Sequence, residues 1–163
     1  MRQAQEREFV DFVRDASPRL LTTAWMLTGN PHQAEELVQE ALARVYVRWP
    51  KVRTGTPMAY TRRVVANLHT DRWRKTRREV LVDETPERAH QHAPSQHVDL
   101  IRALQALPER QRQVVVLRHY LDLSEQQTAE TLGIGVGTVK SATSRGLARL
   151  RTLMDGDESH VNV

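Results

Sequence analysis

The sequence contains no cysteine, few aromatic residues and no long apolar run. The absence of cysteine excludes disulfide frameworks, thiolate zinc sites, iron–sulfur clusters and cysteine nucleophiles, and it fits a reducing compartment. No apolar stretch approaches the roughly 20 residues of a membrane span, and the first residues lack the apolar core of a signal peptide. We therefore expect a cytoplasmic protein without membrane insertion. With 39% hydrophobic but only 5% aromatic residues, the chain suits small helical units better than a β-sandwich.

Positive charge is concentrated in the first half of the chain. Residues 1–78 hold 15 basic and eight acidic side chains, whereas residues 98–163 hold eight of each. The densest part is residues 62–78, with seven basic residues and one acid, Asp71. Such a concentration suits a polyanion such as nucleic acid, although a charge run is also typical of a solvated helix face.

Apolar periodicity and turn residues divide the first half into helices. Ser17-Pro18 is predicted to interrupt an early apolar pattern, and Gly29 to end the segment that follows. Asn30-Pro31 supplies an N-cap and a first-turn proline for a helix that Pro50 is predicted to stop. Thr56-Pro57 repeats this signal and opens a helix that continues into the basic run.

Residues 79–97 differ in character from the segments on either side. They are acidic, lack a sustained hydrophobic period and include His90, His92 and His97. Three histidines raise the question of a metal site, but no cysteine accompanies them and no regular structure is predicted to hold them. We therefore interpret this segment as a solvated, flexible linker and predict no metal site.

The second helical block contains a helix-turn-helix pattern. Ser124 and Gln127 have the spacing of a capping box, Gly133 ends the helix that they open, and a second helix follows the turn. One face of that second helix carries short polar and basic side chains suited to a DNA groove, namely Lys140, Ser141, Ser144 and Arg145. The pattern also fits an ordinary helical hairpin in a bundle. No spacing indicates a catalytic constellation, so we predict no catalytic residue, cofactor or small-molecule substrate.

Four motifs, taken in order, resemble an extracytoplasmic-function (ECF) bacterial sigma factor. They are AEELVQE at 34–40, VANLHTDRWR at 65–74, LPERQR at 107–112 and GTVKS at 137–141. The resemblance implies an all-α protein of two small helical domains, with a sigma region 2-like domain at 1–78 and a sigma region 4-like domain at 98–154. Residues 79–97 would join them, and residues 155–163 would form a frayed tail. It also implies a non-enzymatic role in promoter recognition and transcription initiation.

The resemblance assigns core RNA polymerase binding to the helix that begins after Asn30. Glu36, Gln39 and Glu40 lie away from its apolar stripe, and arginines of the polymerase β′ clamp coiled coil could pair with the two carboxylates. A solvated acidic face is the alternative interpretation. The β flap, promoter DNA and an anti-sigma protein are further partners that the resemblance suggests.

Recognition of the −10 element is assigned to residues 52–58 and to the helix that follows them. By resemblance, this segment forms a pocket for an unpaired base, and Asn67 reads the edge of that base. Trp73 could stack at the junction or simply pack as an indole, and Asp71 could orient a neighbouring arginine. The complete predicted set is Arg62, Arg63, Asn67, Asp71, Arg72, Trp73, Arg74 and Lys75.

Recognition of the −35 element is assigned to Lys140, Ser141, Ser144 and Arg145, with Thr138 contacting phosphate. Two positions depart from the family pattern: Gly135 replaces a common Ser cap, and Ala142 stands where an Arg often follows Lys-Ser. We therefore expect a less cationic recognition helix. Two alternatives stay open, a DNA-binding regulator that works without polymerase and a helical adaptor that binds only proteins.

Overall fold

The computed structural model describes residues 2–79 and 98–158, without the side chains of residues 79, 157 and 158. Within these ranges the chain forms eight α-helices and no strand. Its internal contacts divide it into two units, Met1–Glu87 and Arg88–Val163. The predicted all-α fold with two small helical domains is thereby confirmed. Of the predicted linker and its three histidines, only Glu79 lies among the described residues, as the last residue of a helix.

The first unit consists of four helices: α1 (Gln3–Thr28), α2 (Pro31–Val47), the single-turn α3 (Trp49–Val52) and α4 (Pro57–Glu79). Helices α1, α2 and α4 pack against one another, and α3 packs against α1 and α2. The apolar stripes predicted from the sequence supply the core, which includes Leu20, Leu27, Leu37, Val45, Trp49, Val65 and Leu68. The polar sides of α2 and α4 are left at the surface.

The predicted helix starts in this unit are correct. Asn30 caps α2, because its Oδ1 accepts hydrogen bonds from the backbone N–H groups of His32 and Gln33 at 2.9 and 3.1 Å, and α4 begins at Pro57 as expected. Gly29 ends α1 in the left-handed conformation, with φ of 68°, which glycine adopts without the steric cost of a side chain.

Two predicted helix interruptions are wrong. Helix α1 continues through Ser17 and Pro18. Pro18 and the residue one turn earlier, Arg14, are both exposed, so water can bind the carbonyl that lacks its helical donor. Helix α2 ends at Val47 rather than at Pro50. Pro50 instead occupies the first turn of α3, where a missing N–H costs nothing.

The second unit is organised around its last helix. Helices α5 (Val98–Gln105), α6 (Glu109–His119) and α7 (Glu125–Leu132) each pack against α8 (Val136–Glu158). Gly146 is buried where α8 meets α6. A Cβ atom at this position would lie 2.7 Å from Val115 Cγ2, so glycine permits the close approach of the two helices.

Helix α8 extends beyond the boundary expected for this domain. Residues 155–158, which the sequence placed in a frayed tail, are helical, and residues 159–163 lie outside the described part of the chain. Among the described helices, none combines the length and the apolar composition needed to cross a membrane.

Candidate nucleic-acid interface

The outward side of α2 carries the predicted docking residues. Glu36 and Gln39 are exposed, and Glu40 is half-buried. Glu36 Oε1 lies 3.2 Å from His32 Nε2, one helical turn away. Both side chains of this pair are largely exposed, so the contact contributes little to stability and leaves the carboxylate accessible to a partner.

Glu40 joins α2 to α4. Its Oε1 accepts a hydrogen bond from Arg44 Nη2 at 3.1 Å, and its Oε2 accepts one from Arg72 Nη2 on α4. The hydrogen bond from Arg72 is the main reason that the pKa of the Glu40 carboxyl lies below its ordinary value, and Arg44 adds to the effect. A predicted polymerase contact and a predicted DNA contact therefore form an ion pair with each other.

The predicted DNA-binding residues of α4 separate into two groups. Arg63, Asn67 and Asp71 follow one another at four-residue steps, and all three are exposed. Because residues four apart in a helix lie on one face, they form a single stripe. Two further exposed cations, Arg74 and Lys75, widen the stripe at its C-terminal end. We call these five residues the α4 stripe.

The second group consists of Arg62, Arg72 and Trp73, which are half-buried beside this stripe. The guanidinium carbon of Arg77 lies 5.1 Å from the centre of a Trp73 ring, within the range of a cation–π interaction. The Trp73 ring is thus neither fully buried nor fully exposed. Both interpretations of this residue, stacking and packing, stay open.

The predicted base-binding segment is short and anchored. It leaves α3 at Val52 and enters α4 at Pro57. Two local hydrogen bonds shape it: Thr54 Oγ1 donates to the carbonyl of Lys51 at 3.0 Å, and the Gly55 N–H donates to the carbonyl of Val52 at 3.1 Å. Thr54, Gly55 and Thr56 are exposed, so a ligand can reach the loop between the two helices.

Arg53, the first residue of this loop, is held by a residue that sequence reasoning missed. Its Nε and Nη2 atoms donate to the two carboxylate oxygens of Glu8 on α1, each at 2.8 Å. The hydrogen bonding lowers the pKa of Glu8 and raises that of Arg53. The pair spans 45 residues of sequence, a separation at which no periodic or capping signal could have predicted it.

The helix-turn-helix forms as its turn residues predict. Ser124 Oγ accepts from the Gln127 N–H, and Gln127 Oε1 accepts from the Ser124 N–H, both at 3.0 Å. Gly133 then ends α7 with φ of 67°. The capping box and the left-handed glycine fix where α7 begins and ends, and they set the direction in which α8 leaves the turn.

The exposed face of α8 brings together all the residues predicted to contact duplex DNA. They are Thr138, Lys140, Ser141, Ser144 and Arg145. Lys140 Nζ lies 3.7 Å from Glu125 Oε2 at the start of α7. Lys140 is 64% exposed, so this surface ion pair is weak and a phosphate group can compete for the ammonium.

The two departures from the family pattern have different structural meanings. Ala142 is buried with Val139 on the inner side of α8. The effect of this uncharged residue on the cationic character of the helix stays a prediction. Gly135 precedes α8, and a Cβ there would meet nothing within 4 Å. The fold thus leaves room for a serine cap that this sequence lacks.

No metal-binding cluster is present in the part of the chain that the structure describes. The described residues form three candidate surfaces. They are an outward carboxylate and amide on α2, the α4 stripe with the anchored loop beside it, and the exposed polar face of the recognition helix α8. Carboxylates suit arginine partners, the stripe and loop suit a single strand, and the recognition helix suits a major groove.

Family models match both units of the chain. Residues 12–79 match the family Sigma-70 region 2, and residues 97–150 match Sigma-70, region 4. The RNA polymerase sigma-E factor of Streptomyces coelicolor is 42% identical over 149 residues, which cover 88% of this chain and 84% of the relative. The ECF RNA polymerase sigma factor SigE of Mycolicibacterium smegmatis is 34% identical, over 91% of this chain and 62% of the relative.

A solved structure is similar along most of the chain. It contains the sigma factor RpoE in complex with the anti-sigma factor NepR from Bartonella quintana. The match has a TM-score of 0.66 and 25% sequence identity, and it covers 91% of this chain and 98% of the other.

Proposed function

This chain belongs to the ECF sigma factors of bacterial RNA polymerase, and from that premise we propose how its surfaces divide the work of transcription initiation. As a member of this family it binds core RNA polymerase and directs it to promoter DNA. We assign residues 1–78 to polymerase docking and the −10 element, and residues 98–154 to the −35 element. Since the polymerase and its template are in the cytoplasm, we place the protein there. We assign it no catalytic step of its own and no cofactor.

The docking surface in this proposal is the outward side of α2. Glu36 and Gln39 are accessible, and they present a carboxylate and an amide that arginines of the β′ clamp coiled coil can bind. Glu40 is already bound on both oxygens by Arg44 and Arg72. Its part in docking therefore requires that a polymerase cation share or replace one of these partners.

Single-stranded −10 DNA is assigned to the α4 stripe and the adjacent loop. The observation that carries this assignment is that Asn67 lies exposed between cationic ends of one continuous stripe. Cations placed along a helix face can follow a phosphate backbone, whereas one central amide can donate to and accept from a base edge. Unstacking a base costs a few kcal/mol, so backbone contacts and a pocket must act together.

Duplex −35 DNA is assigned to the exposed face of α8. Lys140 and Arg145 reach guanine acceptors or phosphates, and the short side chains of Ser141 and Ser144 let the helix backbone approach the groove. Gly137 and Thr138 lie in the first turn of this helix, where backbone N–H groups can bind a phosphate.

The docking assignment is tested with paired variants on α2. Glu36→Ala with Gln39→Ala should weaken association with core polymerase in a pull-down and leave the helical circular dichroism unchanged. Asp15→Ala is the matched control, because Asp15 is also an exposed carboxylate but lies on α1 rather than on α2. Equal binding by the double variant and the control would contradict the assignment.

The −10 assignment is tested by separating strand opening from DNA binding. With holoenzyme on a promoter that the wild type opens, Asn67→Ala should reduce permanganate reactivity of unpaired thymines more than it reduces closed-complex formation. Arg63→Ala should instead weaken both steps, and the slope of log K against the logarithm of the salt concentration should become smaller by about one. If Asn67→Ala impairs both steps equally, Asn67 does not read an unpaired base.

A regulator that works without polymerase is not favoured, since sigma family models match both units. A gel shift with the free protein distinguishes the two functions. A sigma factor should bind promoter duplex weakly until core polymerase is added, and Lys140→Ala with Arg145→Ala should reduce promoter binding by the holoenzyme. Tight specific binding by the free chain would support the regulator. Unchanged transcription by that double variant would support an adaptor that binds only proteins.

A further inference from the structure

The Glu8–Arg53 ion pair connects the first turns of α1 to the loop proposed to capture a base. Two guanidinium nitrogens of Arg53, Nε and Nη2, donate to the two carboxylate oxygens of Glu8, at 2.8 Å each. A two-bond arginine–carboxylate contact fixes the orientation of the guanidinium plane as well as its position. A single hydrogen bond would leave that plane free to rotate, and a lysine ammonium has no such plane.

Apolar contacts next to this pair hold α3 independently of it. The ring centres of Phe9 and Phe12 on α1 each lie 5.3 Å from that of Trp49. Trp49 is only 3% exposed. The aromatic cluster thus fixes α3 against α1, while the ion pair holds the loop residue that directly follows α3. Removal of the ion pair should loosen the loop, which then keeps only its local hydrogen bonds, without releasing the helix.

We propose that Glu8 is a positioning residue for promoter opening, which acts through Arg53 to hold the 53–56 loop in the conformation that accepts an unpaired base. This inference rests on the proposed role of the loop in −10 recognition. A loop that is already ordered loses less conformational freedom when it binds. Glu8 therefore favours base capture although it is itself an anion on a DNA-binding unit.

The sign of the effect separates positioning from simple electrostatics. Glu8→Gln removes one negative charge and leaves the Arg53 cation with at most one hydrogen bond, to the amide oxygen. Both changes should strengthen binding to a polyanion if charge alone mattered. Positioning predicts the opposite result, because the released loop must be ordered again each time a base enters. The expected decrease in open complex is about three- to tenfold, the range given by ordering one or two long side chains.

The experiment uses holoenzyme assembled from core polymerase and the full chain, on a promoter fragment that wild-type holoenzyme opens. Open complex is measured by permanganate reactivity, core affinity by pull-down, and stability of the first unit by the midpoint of thermal unfolding in tryptophan fluorescence. Glu8→Gln should reduce open complex and leave the other two quantities unchanged. The exchanged pair, Glu8→Arg with Arg53→Glu, should recover most of the lost open complex.

Asp11→Asn is the matched control. Asp11 lies on the same helix and is exposed, and its carboxylate pairs with Arg14 one turn away at 3.6 Å, not with the loop. The substitution changes the net charge by the same single unit, so it measures the electrostatic part alone. We expect its open complex to equal or exceed that of the wild type.

Three outcomes would overturn the proposal. The first is open complex with Glu8→Gln that equals or exceeds that with Asp11→Asn. The second is an exchanged pair that recovers none of the lost open complex. The third is a fall in core affinity and thermal stability that parallels the loss of opening. The last result would mean that the pair supports the fold. Failure of wild-type holoenzyme to open any promoter would refute the proposed function itself, so the two failures are distinguishable.

Discussion

Replacement of Gly146 by alanine tests the packing on which the second unit depends. Gly146 lies on the buried side of α8 against α6. An added Cβ would come within 2.7 Å of Val115 Cγ2 and 3.4 Å of the backbone carbonyl oxygen of Gln111. Val115 is completely buried, so its methyl group has no solvent into which it can move.

Two opposing effects set the magnitude. Overpacking a core position typically costs about 1–3 kcal/mol. Replacing glycine in a helix by alanine returns about 0.5–1 kcal/mol through lower chain entropy in the unfolded state. The steric effect exceeds the entropic one, because the 2.7 Å contact is with a side chain that is completely buried. We expect a net loss of about 1–2 kcal/mol, or a fall in Tm of about 8–16 °C for a unit of this size.

The distribution of tryptophan allows the two units to be followed separately. The three tryptophans, Trp25, Trp49 and Trp73, all lie in the first unit, whereas far-ultraviolet circular dichroism reports helices in both. Gly146→Ala should shift part of the circular dichroism transition to lower temperature and leave the fluorescence midpoint unchanged. Gly156→Ala is the control, since a Cβ there meets nothing within 4 Å, and its Tm should stay the same or rise slightly.

Either of two results would refute this reasoning. An unchanged circular dichroism transition for Gly146→Ala would mean that α6 and α8 can move apart without cost. An equal fall in the fluorescence midpoint would mean that the loss is not confined to the second unit.

Three further predictions concern the caps and the Glu40 ion pair. Asn30→Ala should cost about 1 kcal/mol through loss of the α2 cap and lower the fluorescence midpoint; no change would show that water replaces the cap. Ser124→Ala should cost a similar amount but affect only circular dichroism, and a fluorescence shift would contradict this. Since the folded pKa of Glu40 is lowered, its pair stabilises the fold fully above the unfolded pKa and loses that effect as pH falls through the folded value. Glu40→Gln should therefore make the fluorescence midpoint fall less steeply as the pH is lowered. An unchanged dependence of the midpoint on pH would be evidence against the pair.

Local signals made most of the fold predictable. The asparagine cap at the start of α2, the capping box at the start of α7 and the glycines that end α1 and α7 each act within a few residues of sequence. A side chain and the backbone that it caps are then found together in the sequence as well as in space. The apolar periods of α2, α4 and α8 likewise predicted which sides are buried.

The two proline predictions were wrong because the effect of proline depends on its exposure to solvent and on its position within a helix. Pro18 removes one helical hydrogen bond, but Arg14, whose carbonyl loses its donor, is an exposed residue, and the contacts of α1 with α2 and α4 hold the helix together. Pro50 lies in a first turn, where proline is favoured. The hydrophobic pattern could predict neither the exposure of Pro18 nor the short helix that contains Pro50.

The long-range ion pairs were also beyond sequence reasoning. Glu40 and Arg72 are 32 residues apart, and Glu8 and Arg53 are 45 residues apart. Many other acids and bases in the first half could have formed pairs, and only the packing of α1, α2 and α4 selects these. Composition therefore predicted a cationic surface, but it could not predict which cations form ion pairs with acidic residues of the same chain.

The bridge from Glu40 to Arg72 has a thermodynamic corollary. A phosphate that binds the Arg72 guanidinium leaves the Glu40 carboxylate free to bind a cation. A cation that binds the carboxylate likewise leaves the guanidinium free to bind a phosphate. Reciprocity of free energies then requires each ligand to help the other by an equal factor. Calorimetric titration of either ligand in the presence and absence of the second would give that factor directly, as one number obtained by two routes.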